Sequence, residues 1–209
     1  MIIKKEITGE CRKGGNSKQL IVVHHTGSSP KTTMQNIINF FKKPDYISVH
    51  YVVGRTEADG IAQMVEEDNQ AFHAGVSGWG ELSDLNRHSI GIEVLSDGIT
   101  FTEWQIQAAT WLLKDIMARN GISPLKVLRH ADIALPAGRK TDIGFNFFKK
   151  WGTWANYQMS LVVVSKIERL EKDYETQAKA LNTELDKLNG IKKQLSKEKG
   201  ILFVPLQIV

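Results

Sequence analysis

Cysteine is nearly absent from this 209-residue chain. Cys11 is the only one, which excludes a disulfide framework and any multi-cysteine zinc site. Long apolar runs are absent too. A membrane span needs roughly 18–20 consecutive apolar residues, whereas 159–164 is interrupted by Ser160 and 201–209 is too short. Proline (5) and glycine (17) stay near average usage, so collagen-like and low-complexity classes are excluded. The start, Met1-Ile2-Ile3-Lys4-Lys5-Glu6, lacks an apolar h-region and a cleavage site. No secretory signal peptide is expected, and the protein should accumulate in the cytoplasm. Neither sign of charge dominates: 27 Lys and Arg against 23 Asp and Glu give +4. That balance requires no nucleic-acid partner, though it would help on an anionic polymer surface.

What is present divides the chain in two. Residues 1–156 hold all five tryptophans and all six histidines and read as a compact α/β domain. Strands are expected at 21–25, 49–53, 61–65 and 89–95, with a strand edge at 127–130. Helices are expected over 34–42 and from Thr102 to about Asn120, where Gly121 suits the C′ position; a last one is expected over 145–151. From 157 to 209 the composition changes. Ile167, Tyr174, Leu181, Leu188 and Leu195 recur every seven residues, with Leu170, Ala178, Leu185 and Ile191 filling most of a second seam. This pattern predicts a helical, coiled-coil-like extension, with oligomerisation through it or packing on its own domain as the two outcomes. Gly190 is a candidate break between two helical arms, and the apolar segment 201–209 should dock on something.

Three features carry chemistry. His24 and His25 end an apolar strand, and alternation lets only one of them point into a given site, without saying which. His130 ends a second strand-like segment, and Asp142 follows twelve residues later with Lys140 two positions before it. Two imidazoles and a carboxylate suit a catalytic zinc with an open fourth position, and a neighbouring lysine suits an oxyanion. Glu93 lies in the strand Ile90-Gly91-Ile92-Glu93-Val94-Leu95, on the face of Gly91, opposite Ile90, Ile92 and Val94. A carboxylate in so apolar a strand needs compensation, by a buried salt bridge or by work as a general base with Gly91 leaving room above it.

Five segments in order resemble the zinc-dependent N-acetylmuramoyl-L-alanine amidases. They are Val22-Val23-His24-His25-Thr26, Val49-His50-Tyr51-Val52-Val53, Phe72-His73-Ala74-Gly75-Val76-Ser77, Asn86-Arg87-His88-Ser89-Ile90-Gly91-Ile92-Glu93, and His130 with Gly138-Arg139-Lys140-Thr141-Asp142-Ile143-Gly144. This superfamily includes amidase-type phage lysozymes, anhydro-muropeptide amidases and peptidoglycan recognition proteins. The resemblance implies a central mixed β-sheet flanked by helices. It implies Zn²⁺ on His24, His130 and Asp142, Glu93 as the water-activating base and Lys140 as the oxyanion partner. It places His73, with Trp79 and Asn86 nearby, along a substrate groove. Departures are Val49 where other branches carry a tyrosine, Ile143 in the usual Asp-Pro-Gly and Phe72 in the usual Trp-His-Ala-Gly. The remaining histidines read as structural: His25 on the far side of its strand, His50 packed, and His88 in a loop.

The expected activity is hydrolysis of the amide between N-acetylmuramic acid and L-alanine in peptidoglycan, as a phage endolysin released to the wall by a holin. A cytosolic amidase recycling anhydro-muropeptides and a non-catalytic peptidoglycan-binding module are the alternatives.

Overall fold

The computed structural model describes residues 1–7, 10–44 and 47–200, with side chains left out of account at 163–169 and 171. Asp45, expected with Pro44 to close the helix over 34–42, the side chain of Ile167 and the segment 201–209 lie outside the described residues.

The elements, in chain order, are β1 (Ile3–Lys5), β2 (Leu20–His25), α1 (Met34–Phe41), β3 (Tyr51–Val53), β4 (Ile61–Gln63), the short pair β5 (Gly78–Trp79) and β6 (Leu82–Ser83), β7 (Ser89–Val94), α2 (Glu103–Asn120), β8 (Val127–Arg129), α3 (His130–Ile133), α4 (Phe145–Phe148) and α5 (Trp154–Lys199). Six strands form one mixed sheet in the order β1-β4-β3-β7-β2-β8. The β3–β4 pair is antiparallel and the other neighbours are parallel. The strands expected at 49–53 and 61–65 form this β3–β4 pair.

Strand alternation sorts the two faces. Ile21 and Val23 of β2, with Ile90, Ile92 and Val94 of β7, bury against Ala108, Ala109, Leu112, Leu113 and Ile116 of α2. Trp104 and Trp111 pack against this same cluster. On the other face, Leu20 and Val22 pack with Ala74, Leu85, Leu128 and Ile133. There α1 also buries Met34, Ile37, Ile38 and Phe41, at helical spacing, against Val49, Val52, Ala62 and Met64. Both long-range helices of this domain start with a capping box, Thr33 with Asn36 and Thr102 with Gln105.

The contacts divide the chain into two compact units, 1–162 and 163–209. The first turns of α5 belong to the first unit, where Tyr157 and Leu161 are fully buried. Trp154 Nε1 and Gln158 Nε2 both donate to the Val127 carbonyl, occupying an acceptor of the edge strand β8. The helix expected over 145–151 is instead the single turn α4 followed by a 3₁₀ turn at Lys149–Trp151. In the second unit, α5 runs through Gly190 without interruption, so two helical arms breaking there do not form. Leu170, Tyr174, Leu181, Leu188, Ile191 and Leu195 are exposed along it. Among the described residues no helix is long and apolar enough to cross a membrane.

Candidate metal centre and its surroundings

The site stands at the carboxyl ends of the central strands, on the face that carries Val22 and Ser89. His24 and Glu93 are register partners across β2 and β7, so the parallel pairing itself sets them side by side. His130 follows directly on β8, the other neighbour of β2. Asp142 arrives on the loop after α3, whose path is tied by a hydrogen bond from the Ala131 N–H to the Asp142 carbonyl (2.8 Å). The three donors converge. His24 Nδ1 lies 2.9 Å from His130 Nδ1, His130 Nδ1 lies 3.1 Å from Asp142 Oδ2, and His24 Nδ1 lies 3.9 Å from the same oxygen. All three residues are buried.

The surrounding hydrogen bonds decide which ring nitrogens carry protons. Ser89 Oγ donates to the Leu85 carbonyl (2.6 Å), so His73 Nε2–H donates to Ser89 Oγ (3.3 Å). Neutral His73 then has a bare Nδ1, which accepts from His24 Nε2–H at 3.0 Å. That leaves His24 Nδ1 bare. On the opposite side, His130 Nε2–H donates to the Ala74 carbonyl (3.2 Å), and the tautomer with its proton there leaves Nδ1 bare as well. Burial, with the neighbouring His73 and His130, holds the His24 imidazole well below its ordinary pKa, and burial does the same to His73. Two bare imidazole nitrogens 2.9 Å apart, with a carboxylate oxygen beside them, present converging lone pairs. A divalent cation would satisfy that arrangement. Tetrahedral zinc with bonds of about 2.0–2.1 Å sets its donors about 3.3 Å apart, inside the 2.9–3.9 Å range seen here. The residues therefore fit a divalent metal ion.

A cavity of about 490 Å³ opens beside the cluster, lined among others by His24, His130, Asp142, Glu93, His73 and Lys140. Asn86 also lines it, but its amide oxygen is committed to the backbone N–H groups of His73 (2.9 Å) and Ala74 (2.8 Å), pinning the loop that carries His73. Trp79, 36% exposed on β5, is not among the lining residues. Glu93 is partly buried, with Oε2 shut off from solvent and without a hydrogen-bond partner. Burial, reinforced by the charge of Asp142 and partly offset by Lys140, pushes its carboxyl up to about 8. Asp142 behaves oppositely. Burial raises its pKa, but the adjoining His130 and His25 side chains outweigh that and hold it well below the usual carboxylate range.

Two features differ from expectation. The space that Gly91 leaves is taken by His73 rather than by anything above Glu93: a Cβ at Gly91 would lie 2.5 Å from His73 Cγ. His25 does hydrogen-bond, but toward the site, through Nε2 to Asp142 Oδ1 at 2.9 Å. Its place at the very end of β2 frees it from strict alternation, and nothing in the pattern marks that. Arg139, also a lining residue, was likewise not singled out; it is anchored by the carbonyls of Leu135 (3.0 Å) and Val76 (2.9 Å). His50 is structural. Gly91 N–H donates to its Nδ1 (2.9 Å), and its Nε2–H donates to the Asn69 carbonyl (3.0 Å). Burial lowers its pKa to about 4. His88 sits outside the lining, against Ser17 Oγ at 2.8 Å.

Residues 14–145, more than half of the chain, match the family model described as N-acetylmuramoyl-L-alanine amidase. The chain belongs to that amidase family. It is 34% identical over 141 residues to the N-acetylmuramoyl-L-alanine amidase AmiD of Escherichia coli (strain K12), covering 60% of this chain and 49% of that protein. It thus spans about half the length of AmiD. It is 28% identical over 166 residues to the 1,6-anhydro-N-acetylmuramyl-L-alanine amidase AmpD of Citrobacter freundii, covering 71% of this chain and 83% of that one. Among solved structures, a mutant endolysin from Bacillus subtilis superposes with a TM-score of 0.56 at 24% identity, over 72% of this chain and 97% of that chain. That last likeness is one of fold. Val49 is buried in the core under α1, and Tyr51 donates to Glu67 Oε1 (2.7 Å), away from the cluster.

Proposed function

We propose that this amidase hydrolyses the amide between N-acetylmuramic acid and L-alanine, and that soluble 1,6-anhydro-muropeptides are its substrates. The observation that carries the reading is the convergence of His24 Nδ1, His130 Nδ1 and Asp142 Oδ2 at a cavity that Glu93 and Lys140 also line. Those three residues would hold Zn²⁺. When bound, zinc would supply Lewis acidity toward the scissile carbonyl and lower the pKa of a coordinated water.

The remaining work falls to the chain's own groups. The Glu93 carboxylate takes a proton from the attacking water and returns it to the departing L-alanine nitrogen. Its affinity for protons near neutrality suits both transfers. The Lys140 ammonium faces the oxygen on which negative charge develops. His73, through its bond with His24, keeps a metal-binding nitrogen bare while its loop borders the substrate. Asn86 holds that loop. Trp79, off the cavity wall, offers a stacking face to a saccharide reaching beyond it.

The anhydro-muropeptide substrate is supported by AmpD, whose name states that chemistry and 83% of whose length this chain covers. The endolysin reading has the shared fold behind it. A binding module that does not cut has no need of a complete donor set with an adjacent proton-accepting carboxyl. The test is product analysis with zinc-loaded protein, with and without chelator, on a soluble anhydro-muropeptide and on intact peptidoglycan. Release of the free peptide from the soluble substrate alone is expected. Equal cleavage of intact peptidoglycan would overturn the recycling assignment, and zinc binding without any cleavage would overturn the enzymatic one.

For the tail, we propose self-association through the exposed heptad side chains of α5. Light scattering should give a multiple of 23.5 kDa for the full chain, reduced to one protomer by Leu181→Lys with Leu188→Lys. A monomer at the outset refutes the idea.

A further inference from the structure

We propose that His25 is a positioning residue that locks the Asp142 carboxylate in the orientation a metal ion requires; the proposal rests on the metal reading above. Asp142 uses its two oxygens differently. Oδ2 faces His130 Nδ1 and His24 Nδ1, while Oδ1 accepts from His25 Nε2 at 2.9 Å. The direction of that last bond is set by the backbone. Gly27 N–H donates to His25 Nδ1 (3.0 Å), so Nε2 is the ring nitrogen that donates, where Asp142 can accept from it.

The ring is also held sterically. Gly98, in the turn after β7, leaves the space it occupies: a Cβ there would come within 2.5 Å of His25 Cε1 and 2.6 Å of Nε2. A carboxylate is free to rotate about its Cβ–Cγ bond and to offer both oxygens to a cation. A fixed donor on Oδ1 removes that freedom and leaves Oδ2 as the single donor facing the imidazoles. Hydrogen bonds from outside the ligand set generally contribute 10–100-fold to metal affinity in this way. His24 has such a partner in His73, and His130 has one in the Ala74 carbonyl. His25 completes the set for the third ligand.

The experiment compares wild type with His25→Ala, His25→Gln and His25→Asn. Two readouts are taken: Zn²⁺ affinity by competition with a chromogenic chelator, and the visible absorption of the Co²⁺-substituted protein. Melting of each metal-free protein checks the fold. Alanine should lower zinc affinity about 10–100-fold and change the cobalt spectrum. Glutamine, whose amide nitrogen reaches about as far as Nε2, should restore both, whereas asparagine falls short. If His25→Ala is unfolded, the glutamine–asparagine difference decides. Unchanged affinity and spectrum in the alanine variant, or equal losses in all three, would overturn the role of His25 while leaving the metal site intact. Failure of the wild type to bind zinc would overturn the metal reading itself.

Discussion

Replacing Gly91 with alanine should reverse its effect on stability according to what stands at position 73. The added Cβ would lie 2.5 Å from His73 Cγ and 2.7 Å from Cδ2 and Nδ1, about 1 Å inside ordinary carbon contact. The backbone is no obstacle, because Gly91 is not among the glycines with positive φ. The ring has to move. A shift of about 1 Å would break its 3.0 Å bond to His24 and its 3.3 Å contact with Ser89. Overpacking of this kind costs about 1–3 kcal/mol. Removing a glycine from the interior of a strand returns about 0.5–1 kcal/mol. The net for Gly91→Ala alone is therefore a loss of up to about 2.5 kcal/mol, with weakened zinc binding because His24 loses the acceptor on its Nε2. In a His73→Ala background the clash is gone, and the same change should stabilise by about 0.5–1 kcal/mol. Urea unfolding of the four proteins, with zinc chelated, closes a double-mutant cycle whose coupling should reach about 1–3 kcal/mol. Additive effects would refute the steric argument and with it the claim that Gly91 exists to seat His73.

Further outcomes follow from the same geometry. Glu93→Gln should retain zinc at full occupancy and lose about 10²–10⁴-fold in turnover on the soluble substrate, read by release of free peptide. Lys140→Ala should lower kcat while leaving zinc content unchanged; a pure KM effect would place Lys140 in binding instead of charge stabilisation. Zinc at 1,000 times its Kd should stabilise the protein by about 4 kcal/mol, a rise in Tm of roughly 8–16 °C that chelator reverses. Glu67 gives the pH dependence. Burial raises its pKa, but hydrogen bonds from Arg119 (2.8 Å to each oxygen), Asn120 (2.9 Å) and Tyr51 (2.7 Å) outweigh that and hold it below the ordinary value. A depressed carboxyl stabilises the fold above its unfolded pKa and ceases to do so as pH falls through its folded one. Glu67→Gln should thus cost about 1.5–3 kcal/mol at pH 7, and the gap to wild type should narrow as pH drops below about 4. A gap that stays constant across that range would refute the assignment.

Much of the scaffold was legible because it depends on local pattern. Ile90, Ile92 and Val94 alternate with Gly91 and Glu93, and that period assigns Glu93 to the face opposite the α2 core, whereas the all-apolar run before His24 and His25 left open which of the two shares that face. Thr102, Gln105 and Gly121 bound α2 by side-chain and φ preferences that need no distant partner. The cluster of His24, His130 and Asp142, which could hold a metal ion, was legible as well, in part from residue types and in part from a resemblance spread over five motifs. The continuity of α5 through Gly190 was not, since a glycine lowers helix propensity by only about 1 kcal/mol and does not by itself end a helix.

What the sequence by itself determined is the inventory: which segments form the central strands, and that two imidazoles, two carboxyls and a lysine belong to one chemistry. What only the tertiary structure decided is orientation at the site. Whether His73 only lines the cavity or also holds His24, whether Asn86 is spent on backbone N–H groups, and whether His25 turns away or reaches Asp142 all hinge on partners far apart in the chain. The ring proton of His24 is set through His73 by Ser89, 65 positions away. The proton of His25 is set by Gly27 two residues on, yet the oxygen that receives it comes from Asp142. A hydrogen bond is directional to within tens of degrees and tenths of an ångström, and no local periodicity carries that information until the sheet has closed.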